Sequence, residues 1–321
     1  MPTRRVMLAT LSALGVLGPA HAQAYPAKPV KMIFPFPAGG GFDIVARLVA
    51  KGLSDRLGQQ FVVENRTGAG GNIGGEVVAR APADGYTLGF LTSGPLANNK
   101  LLYKAMPFDA DKAFAPIALV GEIPLVFVAH PSVPAKNLGE YVQWARANPG
   151  KGSVGHAGNG TIGHLALELL KHTAGVDLLA VSYKGEAPAM TDVLAGAIQA
   201  ASAPIAAFLP HIQSGKLTPL AIAARQRFPS LPNVPTAREQ GFDVEAAVWA
   251  AVVAPAGTPK AVLDKVNREV NAVLGTPELR ARLEQLGVTP TGGAAERVAE
   301  RAAADTRQWK RVIDAAKISI E

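Results

Sequence analysis

The residues best placed to do chemistry in this chain are glycines at strand ends. Residues 34–43 read FPFPAGGGFD, so Gly39, Gly40 and Gly41 follow an apolar strand after four intervening residues. Three glycines in a row sacrifice backbone entropy and pack nothing, which implies that the main chain itself must come close to something. The pattern recurs. A strand at 153–157 runs into Gly158-Asn159-Gly160-Thr161-Ile162-Gly163 and a helix from His164, and a third glycine turn at 66–72 follows the strand at 61–63. In open α/β sheets, ligands bind outside the carboxyl ends of the strands. Glycine admits a close approach there, and unpaired amides at a helix start attract an anion. Two such loops on facing lobes could hold one carboxylate between them. Each hydrogen bond to a charged group contributes about 1.5–3 kcal/mol. Three or four, less ordering costs, reach the roughly 8 kcal/mol of a micromolar ligand. Taken alone, each loop is equally well read as a tight turn.

Other chemistry is sparse. Gly158, Gly160 and Gly163 spell the dinucleotide fingerprint, which needs an acid about 20 residues on, at the end of the next strand. That strand ends Ser182-Tyr183-Lys184 and Glu186 comes late, which argues against a dinucleotide. The chain has no G-x-S-x-G, H-E-x-x-H or G-x-x-x-x-G-K-[ST]. His164 and His172 share a predicted helix but stand eight residues apart, too far for an i,i+4 metal pair. His164 is placed to cap the glycine loop or to touch a ligand; His156 and His211 are assigned no task. Asp43 stabilises a helix start, or orients waters or a ligand donor, since it would repel a carboxylate set against it.

These loops need strands and helices to hold them. Apolar runs of strand length at 30–34, 61–63, 87–91, 125–129, 178–183, 220–223 and 248–253 alternate with segments of helical spacing such as 44–57, 164–173 and 189–194. Alternation of this kind predicts an α/β fold with mostly parallel sheets flanked by helices. Beyond Pro259 three helices follow, at 260–274, 277–286 and 294–316. Two apolar strands run into proline-punctuated turns, His130-Pro131-Ser132-Val133-Pro134 and Ala254-Pro255-Ala256-Gly257-Thr258-Pro259, as chain crossings between two lobes would. The expected division is 25–125 plus 250–321 for one lobe and 126–249 for the other, with the cleft between them.

The N-terminus predicts export. Arg4 and Arg5 precede an uncharged, mostly apolar run at 6–17, and Ala20-His21-Ala22 and Ala22-Gln23-Ala24 offer overlapping cleavage sites. The run is shorter than the roughly 20 residues of a spanning helix. Cleavage after Ala22 or Ala24 leaves 299 or 297 residues, enough for two domains of ordinary size. Without Arg4 and Arg5 the formal charge of +7 falls to +5. The basic residues are scattered, so nucleic acid is not an expected partner. With no cysteine there is no disulfide, thiol chemistry or lipoprotein anchor.

Eight strings occur together and in order: FPFPAGGGFD (34–43), VVENRTGAGGNIG (62–74), ADGYTL (83–88), GNGTIGHLALEL (158–169), VSYKGEAPAMTDVLAG (181–196), HIQSGKL (211–217), LPNVPTAREQGF (231–242) and VWAAVVAPAGTP (248–259). Any one is weak; the set closely resembles the Bug family of periplasmic solute receptors of tripartite tricarboxylate transporters. The resemblance implies a two-lobed, hinge-closing fold of the type II periplasmic-binding-protein kind. It implies no catalytic residue, cofactor or metal, and a carboxylate held in the cleft largely by main chain and ordered water. Carried over residue by residue, one wall is Phe36, Pro37, Ala38, Gly39, Gly40, Gly41, Phe42 and Asp43. The other is Gly158, Asn159, Gly160 and Thr161 with His164 behind it, while Ser93, Tyr183 and Ser202 reach the cleft from strand ends. Phe42 stands where the family often has a small or hydroxylated residue: either its ring lies over the cleft mouth, favouring a ligand with an apolar or aromatic body, or it packs under the first helix and never meets ligand. The implied partners are a small carboxylate and the membrane components of such a transporter, the receptor itself being a periplasmic monomer. The same fold would serve a sensory receptor reporting to a membrane partner; an exported hydrolase is a further alternative that the missing nucleophile motifs disfavour.

Overall fold

The computed structural model describes residues 25–318, so the predicted signal segment lies outside the described residues. The first unit is a parallel triplet. Strand β1 (Val30–Phe34) lies between β2 (Phe61–Asn65) and β3 (Thr87–Thr92), both parallel to it. Helix α1 (Gly41–Leu57) crosses from β1 to β2 and buries Val45, Ala46, Val49, Ala50 and Leu53, the i, i+3, i+4 stripe of a helix with one apolar face. It stops at Gly58, which takes the left-handed φ of +70° and donates its N–H to the Ser54 carbonyl. Helix α2 (Asn72–Ala79) connects β2 to β3 on the other face, where Val78 packs with Ile33.

A second parallel triplet has the same build. Strand β5 (Ser153–His156) lies between β6 (Leu179–Ser182) and β7 (Ala200–Pro204), with helices α4 (Ile162–Ala174) and α5 (Glu186–Leu194) as the connections.

The two triplets are joined by strands that run antiparallel to them. The 16-residue β4 (Phe114–Ala129) pairs through its first part, up to Pro124, with β9 (Ala247–Pro255). From Leu125 onward it pairs instead with β7 on one edge and with β8 (Thr218–Ala223) on the other. The change of partner falls at Pro124, which has no N–H to give to a ladder. Alternating strand and helix patterns thus locate the two parallel units, and the antiparallel crossing strands complete each sheet. The result is the expected two-lobed α/β architecture.

Helix α9 (Glu296–Ala316) departs from the expected division. At 21 residues it spans about 32 Å, enough to serve both lobes. Its early Val298 packs with Ile33 and Trp249 beside the first triplet. Its later Trp309, Val312 and Ile313 are buried with Tyr141, Leu165 and Leu170, in the core beneath the second triplet. Assigning all of 250–321 to the first lobe therefore fails over the last two turns. A polar knot fixes the helix where it passes the crossing strands: Asp305 accepts from Trp249 Nε1 (2.7 Å) and from Arg301 Nε (3.0 Å), and Arg301 also reaches Glu122 on β4. Among the described residues no helix is long and apolar enough to cross a membrane.

Candidate ligand-binding site

The first glycine loop is held by a side-chain clasp beneath it. Asp43, 2% exposed, accepts hydrogen bonds from the Gly39 N–H (3.0 Å), Asn65 Nδ2 (2.8 Å) and two nitrogens of Arg47 (3.0 and 3.1 Å). Asn65 also donates to the Phe36 carbonyl at 2.8 Å and accepts from Arg47 at the same distance. Burial pushes the Asp43 carboxyl up, but the bonds from Arg47, Asn65 and Gly39 outweigh it and hold the group below its ordinary range. Asp43 thus orders the loop from below and has no lone pair left facing a ligand. Arg47 and Asn65 were not singled out from the sequence, although Asn65 lies inside the second family string; their contribution depends on β2 lying beside β1.

What the clasp leaves open is main chain. The amides of Ala38 and Gly40, and of Gly41 and Phe42 at the unpaired start of α1, have no acceptor among the described residues. Gly39 needs its residue type for conformation, at φ +93°. Gly40 does not: its φ of −74° and ψ of 163° suit any residue, and a Cβ there would meet nothing within 4 Å. Neither backbone strain nor packing inside the protein accounts for that glycine. Of the two readings of Phe42, the structure shows the one in which the ring packs under the helix. Its side chain is 7% exposed and lies in the core, ring centroid 6.3 Å from that of Phe90. The ring is under the helix, so only the Phe42 amide is turned to the loop.

The second loop is built on its own helix. Thr161 caps α4, accepting from the His164 N–H (3.4 Å) and donating to the Gly158 carbonyl (2.7 Å). His164 Nδ1 accepts the Gly160 N–H at 3.1 Å, which assigns the proton of its neutral ring to Nε2. The Gly160 amide is therefore spent on His164, whereas those of Asn159, Ile162 and Gly163 have no acceptor among the described residues. Beneath, His156 stacks on His164 with centroids 4.5 Å apart. Burial, then the charge of a protonated His164, pushes His156 down to about 4; burial, then Lys171, does the same to His164. Both rings stay neutral at ordinary pH, and the loop carries no cation of its own.

The remaining candidates divide. Tyr183 continues the β5–β6 ladder, its N–H donating to the His156 carbonyl at 3.0 Å. Its hydroxyl proton goes to Asp192 (2.7 Å), and burial together with that carboxylate pushes it up to about 12. Ser93 directly follows β3 but is only 1% exposed. Ser202 is fully buried, with its hydroxyl unpartnered, and sits under the second loop: a Cβ on Gly163 would come within 2.5 Å of the Ser202 carbonyl. Neither serine presents an open hydroxyl. The third glycine turn is a buttress, since Gly71 and Gly74 let α2 lie against Pro35, which leads into the first loop.

Both loops stand at carboxyl ends of parallel strands, and helix α6 (Ile205–Gln213) links them. Ala206 on α6 would be 3.6 Å from a Cβ on Gly41, and the preceding strand carries Ser202 against Gly163. A cavity of about 570 Å³ between α4 and α9, lined by Arg225, Arg238, Arg307 and Arg311 among others, borders neither loop. The described residues contain no cluster of His, Asp or Glu able to hold a metal ion.

Known proteins are similar to this chain in sequence and in fold. BugT of Bordetella pertussis is 35% identical over 305 residues, covering 94% of each chain. Among solved structures, Rpa4515 of R. palustris with adipate superposes with a TM-score of 0.86 at 35% identity, covering 92% of this chain and 99% of the other. MatC of Rhodopseudomonas palustris, with bound malate, gives 0.81 at 31% identity, over 90% of this chain and all of the other. The family model described as tripartite tricarboxylate transporter family receptor matches residues 45–318, so the chain, with its paired glycine loops on a two-lobed frame, belongs to that receptor family.

Proposed function

We propose that this protein is a periplasmic receptor that captures a small carboxylate between its two glycine loops and delivers it to the membrane components of a tripartite transporter, with no catalytic step. The observation that carries the proposal is Gly40. Its conformation and its surroundings would admit any side chain, yet it is glycine, next to a set of uncommitted amides at a helix start. A site that reserves space at main-chain donors suits an anion that must approach the backbone. The relatives' bound adipate and malate are carboxylates of this kind. The two lobes would be 25–125 with the following part of 250–321 up to α9, and 126–249. They would close about the crossings at Pro124–Leu125 and Ala246–Ala247, as a monomer, with ligand shifting a population already open to the empty protein.

A thermal-shift screen of mono-, di- and tricarboxylates on the mature chain, followed by small-angle scattering with the best hit, tests this. A stabilising carboxylate and a smaller radius of gyration at saturation are expected. An unchanged scattering profile at saturation would refute the closing receptor.

A further inference from the structure

Glu186 is an acid that the carboxylate-binding frame does not use. It is the first residue of α5, at the carboxyl end of β6, beside the second glycine loop. Its neighbours tie it there: the Gly185 N–H donates to the Ala157 carbonyl at 3.0 Å, and the Tyr183 carbonyl lies 3.3 Å from where a Gly158 Cβ would be. A Cβ on Gly185, at φ +114°, would meet nothing within 4 Å, so the space next to Glu186 is open. Among the described residues no donor or cation pairs with its carboxylate. The residue is half-buried, and burial alone pushes its carboxyl up to about 7.

The neighbouring charges do not satisfy it. Lys184 is exposed on the same connection, the Tyr183 hydroxyl is taken by Asp192, and His156 and His164 are neutral and bonded within their own loop. A carboxylate left without a partner in such a place is stabilised most by a cation. The geometry points to Glu186 as the residue that reads the far end of the ligand: this receptor takes a carboxylate that also carries an ammonium group, and discriminates against a second carboxylate. The inference rests on the carboxylate-receptor reading and narrows its ligand class to zwitterions.

Two matched series test it by calorimetry at pH 8: 4-aminobutanoate, butanoate and succinate, and 6-aminohexanoate, hexanoate and adipate. Wild type and Glu186→Gln are compared, with thermal melting to confirm that the variant folds. The expected result is that in at least one series wild type binds the amino acid tenfold or more tightly than the diacid. Glu186→Gln should then lose tenfold or more for the amino acid and gain for the diacid. Carboxylate binding whose order is the same in both proteins would overturn the role of Glu186 and leave the receptor reading standing. Binding of none of the six acids by wild type would overturn the zwitterion reading, and the receptor reading with it if no carboxylate of the thermal-shift screen stabilises the protein.

Discussion

Replacing Gly40 with alanine or valine should separate binding from folding in a single position. In most glycine loops such a change strains the backbone or strikes a neighbour, but at Gly40 the backbone is extended and the side-chain direction is empty to 4 Å. A side chain there also lowers the freedom of the unfolded chain, which stabilises a compatible site by about 0.4–1 kcal/mol. The folded protein should therefore melt at or slightly above the wild-type temperature. Binding should move the other way. The uncommitted amides of Ala38, Gly40, Gly41 and Phe42 are the donors available on this wall. Holding a carboxylate away from even one of them forfeits about 1.5–3 kcal/mol, roughly ten- to a hundredfold in affinity. Valine, with two branches at Cβ, should lose more than alanine. Differential scanning fluorimetry and titration calorimetry with the best carboxylate from the screen measure the two effects. Gly39→Ala supplies the contrast: at φ +93° it should destabilise the fold itself. Wild-type affinity in Gly40→Val, or a loss of stability beyond about 2 kcal/mol, would show that the glycine serves the protein's own packing and would refute the reasoning.

Two further outcomes follow from the second loop. Gly163→Ala should destabilise the second lobe by about 1–3 kcal/mol, because its Cβ would meet the Ser202 backbone carbonyl at 2.5 Å and either helix α4 or strand β7 must shift; urea denaturation measures it, and wild-type stability would contradict the close approach. Stability should also fall as pH drops from about 6.5, the ordinary histidine value, to about 4, the folded value of His156 and His164, because the unfolded chain takes up protons there that the folded loop refuses; it is fully present above that window. Urea midpoints between pH 7.5 and 4.5 should show a smaller slope in the His156→Gln, His164→Gln double variant, and an identical slope would refute the assignment.

Much of this protein is legible in its residues one stretch at a time. The spacing of Val45, Val49 and Leu53 dictates a helix with one apolar face, Gly58 stops it, and glycine strings after apolar strands mark where the chain turns at a sheet edge. Periodicity of this sort is a local property, fixed by 3.6 residues per turn and by alternation along a strand. Which surface an apolar face meets is a different question, and one helix or strand does not contain the answer. The stripe from Val298 to Ile313 on α9 is visible in the sequence, but its division between two cores depends on where two distant sheets come to lie. Phe42 could be read as facing outward until Phe90, 48 positions along, supplied the pocket that buries it. Asp43 needed Asn65 from the next strand and Gly160 needed His164 before either could be seen as bonded, and Ser202 disappeared beneath a loop that precedes it by about 40 residues. Residue types and spacing determined that main chain would be presented at the ends of two sheets. Side chains four residues on take up the Gly39 and Gly160 amides; tertiary packing decided what holds Asp43 in place and which faces lie buried, because a long-range hydrogen bond or a buried face belongs to two surfaces at once.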